Sequence, residues 1–118
     1  MSTRTLKLYE IANARSGDKG NTLNIALVCR DIRHFDAVAK QITQDRVTEA
    51  FMARRPSKVV RYDLPRLGAF NFVLEGVLEG GVNSSLGLDG HGKSLSFLLL
   101  DIELQIDAVA HERRRVPV

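Results

Sequence analysis

The chain has 118 residues, 44% hydrophobic and 26% charged, the size and composition of one folded domain rather than of a disordered chain. A single cysteine, Cys29, excludes an internal disulfide and a cysteine-based zinc site within one chain, and no apolar run, Phe97 to Leu100 included, is long enough to span a bilayer. The net charge of +3 owes its sign to Arg113, Arg114 and Arg115, and with 6% aromatic residues and no aromatic-flanked basic motif nothing patterns a face for nucleic acid.

In chain order, Thr5 to Asn13 reads as a first strand whose alternation slips between Leu8 and Tyr9, the mark of a bulge. A polar loop, Arg15 to Gly20, separates it from Thr22 to Cys29. Leu23, Ile25, Leu27 and Cys29 share one side of that second strand, and its near-continuous apolarity predicts a central strand covered on most of both faces. From Phe35 the period changes: Phe35, Val38, Ala39 and Ile42 form a helical stripe with Asp31 upstream as a cap. Thr43 caps a second short helix that ends near Arg55, before Pro56.

Lys58 to Asp63 then reads as a strand that stops in the turn Leu64-Pro65-Arg66-Leu67-Gly68. Phe70, Val73, Leu74 and Val77 fall at helical spacing, so Ala69 to Glu79 is predicted as a helix. A glycine-rich loop from Gly80 to Lys93 follows, and then a last strand, Leu95 to Ile106. The expected fold is α+β and ferredoxin-like: a four-stranded, largely antiparallel sheet with helices packed on one face. Residues 1–110 form one domain in this reading and residues 111–118 a flexible basic tail. Met1 to Glu10 lacks the apolar core of a signal peptide, so a cytoplasmic location is expected.

Two polar stretches could carry chemistry. In Arg15-Ser16-Gly17-Asp18-Lys19-Gly20-Asn21, glycines would let backbone N–H groups turn inward around an anion while Ser16, Lys19 and Asn21 add donors. The same residue types also make a plain hairpin loop. In the second stretch, Asp89 stands two residues from His91 and could orient its imidazole for proton transfer, with Gly92 and Lys93 alongside; equally, His91 could be an exposed loop residue.

Gly87-x-x-x-x-Gly92-Lys93-Ser94 spells a Walker A motif, and Phe97 to Asp101 resembles a Walker B strand. The pair is rejected because a P-loop joins a buried strand to a helix and reaches its Walker B strand only after a crossover, for which this stretch has no room. His34, His91 and His111 lack ligand spacing, so no metal site is expected, and neither is a cofactor. Cys29, inside a strand, reads as an inert core thiol, and His34 as a helix-start or water-facing residue.

Taken together, A-R-S-G-D-K-G-N-T-L-N-I, Y-D-L-P-R-L-G-A-F-N-F-V-L-E-G-V-L-E-G-G-V and L-D-G-H-G-K-S-L-S-F-L-L-L-D resemble the small C-terminal ferredoxin-fold domain of the AtuA (acyclic terpene utilisation) family, from about Ala14 to Glu103. The resemblance implies a stand-alone version of a domain that otherwise follows a larger one. It places signature polar positions at Ser16, Gly17, Asp18, Lys19, Gly20 and Asn21, at Asn71, and at Asp89, His91, Gly92 and Lys93. It points to catabolism of branched or terpenoid acids as coenzyme A thioesters; the residue types beside glycine-rich backbone then make His91, Asp89 and Lys19 the candidate catalytic residues and the others the expected binders of an anionic acyl ligand. A larger AtuA-type subunit, a second copy of the chain, or both, are the expected partners; a non-catalytic interaction module is the alternative.

Overall fold

The computed structural model describes residues 3–77 and 90–107, with side chains in the second stretch from residue 95 onward. Among the described residues the helices and strands are, in order, β1 (Thr3–Lys7), β2 (Ala12–Lys19), β3 (Thr22–Cys29), α1 (Phe35–Gln41), α2 (Gln44–Ala50), β4 (Lys58–Leu64), β5 (Ala69–Glu75), α3 (Gly90–Leu100) and β6 (Glu103–Asp107). Four strands form an antiparallel sheet in the order β2-β3-β5-β4, and β1 pairs antiparallel with β6 as a separate ribbon. This is the α+β plan expected, with one sheet of four strands, though two of its members differ from the sequence reading.

The first difference lies at the N-terminal end. Where the alternation slips, a 3-10 turn at Leu8–Glu10 interrupts the chain and sends β1 to the ribbon and β2 to the main sheet. Lys7 N–H donates to the Glu10 carboxylate at 2.9 Å, and the Leu8 N–H reaches the Ile102 carbonyl at 2.9 Å. The Arg30 guanidinium holds the turn from outside, donating to the Tyr9 and Ala12 carbonyls at 3.0 and 3.2 Å, to the Glu10 carbonyl, and to Asn13 Oδ1 at 2.7 Å.

The second difference is β5. Its Phe70, Val73, Leu74 and Val77 satisfy a helical period, but Phe70, Phe72 and Leu74 satisfy the two-residue period equally, and all three are fully buried. Tertiary context decides between the two. The 3-10 turn Pro65–Leu67 and Gly68, at φ +61°, reverse the chain within a few residues, so β5 comes to lie between β4 and β3 and its backbone groups enter two ladders.

The third difference is the apolar run after residue 90, expected as a strand from Leu95. It is helical to Leu100, with Leu95 and Leu99 in the core, and extended only from Glu103, where buried Leu104 and Ile106 alternate with exposed Glu103 and Gln105. The supposed Walker B strand, Phe97 to Asp101, therefore belongs to the end of a helix. Residues 90–93, expected in a loop, begin that helix. Every pairing in the four-stranded sheet is antiparallel, which leaves no parallel crossover for a P-loop.

Elsewhere the elements fall where expected. Asp31 accepts the Arg33 N–H at 2.9 Å, starting a 3-10 turn that leads into α1, and His34 is buried there rather than facing water. Thr43 caps α2 by accepting the Arg46 N–H at 3.2 Å. That helix ends at Ala50, and a 3-10 turn carries the chain to Arg55, at φ 52°.

The core lies on one side of the main sheet. Leu23, Ile25 and Leu27 of β3 stand in register with Leu74, Phe72 and Phe70 of β5, all excluded from water, and meet Val38, Ile42, Val47 and Phe51 from α1, α2 and the residue after it. Each such burial is worth about 1.5–3 kcal/mol against exposure. Phe35 stacks on Phe70 at 4.6 Å with the rings nearly parallel. On the opposite side of the sheet Asn24 and Val28 of β3 are exposed, contrary to the expectation of a strand covered on both faces. No described helix is long and apolar enough to cross a membrane.

Candidate functional site

The first polar stretch is not a loop. Ser16 to Lys19 continue β2, paired with β3 from Ala12↔Cys29 to Lys19↔Thr22, and only Gly20 and Asn21 form the turn. Gly20 takes φ +62°, a value that suits glycine at the first central position of a two-residue hairpin turn. Alternate backbone groups of the stretch are therefore drawn into a ladder along β3, and the stretch is extended rather than curled as a loop. Arg15 to Asn21 are thus the arm and turn of a hairpin, with Gly17 inside the strand.

A strand alternates its side chains, so the motif is divided between two faces. Arg15, Gly17 and Lys19 join Thr22, Asn24 and Ala26 on the open side of the sheet, while Ser16 and Asp18 stand in register with buried Ile25 and Leu23 on the core side. Asn71 is also on the open side: it pairs with Ala26, which pairs in turn with Arg15, so the three lie in one row across the sheet with Tyr62 at its far end. A recess of about 610 Å³ lies along the hairpin, lined by Arg15 to Lys19 and by Thr22, Asn24 and Ala26. On the open side it presents the cations Arg15 and Lys19 beside the polar Thr22 and Asn24 and the apolar Ala26, while Ser16 and Asp18 border it from the other side of the strand.

Arg15, Thr22 and Asn24 were not among the binding candidates. The signal was available: once Gly20-Asn21 is read as the hairpin turn, counting back in steps of two puts Asn24 opposite Gly17 and Ala26 opposite Arg15. A loop from Arg15 to Gly20 has no such register.

The second stretch is partly described. Asp89 lies outside the described residues, as do residues 80–89 of the loop expected from Gly80 to Lys93 and the tail expected at 111–118. His91, Gly92 and Lys93 form the first turn of α3. This helix packs along β2, and its far end meets the 3-10 turn from which β2 departs, joined there by the Leu8 bond to Ile102. The C-terminal end of the helix is thus fixed beside the start of β2.

The backbone at the hairpin end of the sheet is tied together. The Gly76 N–H donates to the Asn21 carbonyl at 3.0 Å, and the Ser57 N–H donates to the Glu75 carbonyl at 2.8 Å, joining the β2–β3 turn to the ends of β4 and β5.

A second recess, of about 550 Å³, lies beside α2 and β4 and is lined by Thr43, Gln44, Asp45, Arg61, Tyr62 and Asp63. Its Thr43, Gln44, Arg61 and Asp63 side chains are already engaged. Arg61 chelates Asp63 at 2.7 and 3.0 Å and donates to the Ala39 and Ile42 carbonyls at 2.7 and 3.1 Å, while Gln44 Oε1 accepts the Arg61 N–H at 2.8 Å. Such a network holds the end of α1 to β4 and leaves little to offer a ligand. Cys29 is buried on the core side of β3, and desolvation, aided by nearby Asp31, pushes its thiol up to about 11, so it is inert as a nucleophile. Among the described residues, no three His, Cys, Asp or Glu side chains gather as metal ligands.

The family model described as AtuA ferredoxin-like domain matches residues 6–105. No curated protein and no solved structure matches the chain. The match covers most of the sequence and takes in both polar stretches and Asn71, and the chain belongs to that family.

Proposed function

Starting from membership in the AtuA ferredoxin-like domain family, we propose that the chain is an accessory domain of an AtuA-type catabolic enzyme. Its substrates are branched or terpenoid acyl compounds carried as coenzyme A thioesters, and the β2–β3 hairpin holds their anionic part. The observation that carries this reading is the hairpin recess: four of its eight lining residues, Ser16 to Lys19, are motif positions, and Arg15 and Lys19 bring two cations to one face of one strand. Phosphate or carboxylate oxygens would be drawn by those cations and oriented by the Thr22 hydroxyl and the Asn24 amide, while Ala26 offers a patch for an apolar chain.

The packing of α3 against β2 supports a role for His91 and Lys93 in the site. In this reading Lys93 adds attraction for the anion, and His91, oriented by Asp89, moves a proton. The larger partner subunit supplies the rest of the active site.

The test is calorimetric titration of the purified chain with free coenzyme A, followed by activity of the complex reconstituted with the larger subunit. Lys19→Ala and Arg15→Ala are each expected to weaken binding about tenfold, the scale of one charge-assisted contact. His91→Ala is expected to leave binding in place and abolish turnover. Both residues at 15 and 19 are exposed, so the variants should melt like the parent. Unchanged binding in both, or full activity of His91→Ala, refutes the reading. A second reading, a non-catalytic interaction module, is favoured by the open side of the sheet, and an intact partner complex with no response to any of these substitutions would select it.

A further inference from the structure

The open side of the main sheet forms four rows, read from β2 to β4. They are Asn13, Val28, Ala69, Leu64; Arg15, Ala26, Asn71, Tyr62; Gly17, Asn24, Val73, Val60; and Lys19, Thr22, Glu75, Lys58. Tyr62, Val28 and Leu64 are 54%, 42% and 42% exposed, Ala26, Asn71, Val73 and Val60 of the middle rows are half-buried, and the small Ala69 between Val28 and Leu64 is buried. Gly17 is the odd residue of this face. A Cβ added there meets no described atom within 4 Å, and its φ is not in the left-handed region that favours glycine, so neither the backbone nor the described packing requires glycine. A glycine inside a strand without such a demand marks a place where something from outside comes close.

We propose that this face packs against the same face of a second copy of the chain, related by a two-fold axis running across the strands, with Arg15 of each copy seated over Gly17 of the other. Two symmetric arrangements keep the strands of the two sheets aligned, as face-to-face sheets require. An axis parallel to the strands sets β2 over β4 and brings Lys19 against Lys58 twice, which like-charge repulsion disfavours. An axis across the strands sets β2 over β2 and inverts the rows. Lys19 then meets Asn13, Lys58 meets Leu64 along its aliphatic stem, Tyr62 covers Val60, and no two like charges face each other.

In that arrangement the second copy's Arg15 enters above the glycine that lines the hairpin recess, so each recess gains a cation from the other chain. Four strands spaced about 4.8 Å apart and seven residues at about 3.3 Å make a face of about 440 Å² in plan, so two faces bury about 1,000 Å² with side-chain relief. That is the low end for a specific complex, and a micromolar dimer is expected. The inference does not depend on the ligand proposed above.

Sedimentation of the purified chain without ligand tests it. A dimer with a micromolar dissociation constant is expected, and a monomer at about 200 µM overturns the proposal. Gly17→Val has open space in its own chain and should melt no lower than the parent, yet weaken the dimer at least tenfold; Tyr62→Asp, at an exposed position on an edge strand, should do the same. A dimer indifferent to both variants overturns the interface. Lys58→Glu, facing Leu64, should change the dissociation constant less than threefold, and a tightening above tenfold would assign the other axis and overturn the arrangement.

Discussion

Replacing Arg61 with methionine keeps the aliphatic stem and removes the guanidinium, which is the strongest polar tie between the helices and the main sheet. The head donates to the Ala39 and Ile42 carbonyls at 2.7 and 3.1 Å, in the last turn of α1 where carbonyls lack helical partners. It also lies 5.2 Å from the centre of the Phe70 ring. Its chelation of Asp63 counts for less, because that carboxylate is 40% exposed while the arginine is 19% exposed. Two carbonyl bonds from a charged donor, part-buried, contribute about 1–2 kcal/mol together, the ring contact about 0.5–1, and the ion pair about 0.5. The expected loss is about 2–4 kcal/mol, a fall in Tm of about 10 °C for a chain of this length. Urea unfolding followed by circular dichroism measures it, with Asp63→Asn as the control that breaks only the ion pair and should cost under about 1 kcal/mol. A loss below about 1 kcal/mol for Arg61→Met, or one equal to that of Asp63→Asn, would refute the assignment of the stabilisation to the helix carbonyls.

Three further outcomes follow from particular positions. Gly76 takes φ +85° and its added Cβ would stand 3.0 Å from Ser57 Oγ and 3.3 Å from Ser57 N, so Gly76→Ala should lower unfolding free energy by about 2 kcal/mol, measured in urea. Gln41 pairs its side-chain amide with the backbone of Gln105 at 2.6 and 2.8 Å, closing the outer edge of β6; Gln41→Leu should cost about 1 kcal/mol and speed hydrogen exchange at the Gln105 amide. Burial raises the Cys29 thiol from 9.0 to about 11, so the unfolded chain gives up that proton first. The contribution is whole below pH 9 and lost as pH rises through 11. Cys29→Val should flatten the fall in stability across that window relative to the parent, and the parent thiol should resist Ellman's reagent until unfolded.

Local rules determined much of this protein. Thr22 to Cys29 was legible as a strand because four apolar residues recur at every second position, and α1 and α2 because their stripe and caps are short-range features: Thr43 needs only Arg46, three residues on, to start a helix. The AtuA likeness and the polar motif positions were likewise visible as strings of residues.

Tertiary structure decided the rest, since several segments fit more than one period. Phe70 to Val77 suits a helix or a strand, and only its place between β3 and β4, where both sides of its backbone find partners, makes it β5. The run after Gly90 suits a strand, but packing along β2 makes it a helix as far as Leu100. Most consequential is Arg15 to Lys19: its glycine and charges read as a loop from composition, whereas pairing with β3 extends it and sends alternate residues to opposite faces. That alternation sets Arg15 and Lys19 beside Asn24 on an open sheet, apart from Ser16 and Asp18, because a strand's side chains take their sides from the ladder and not from their neighbours in sequence.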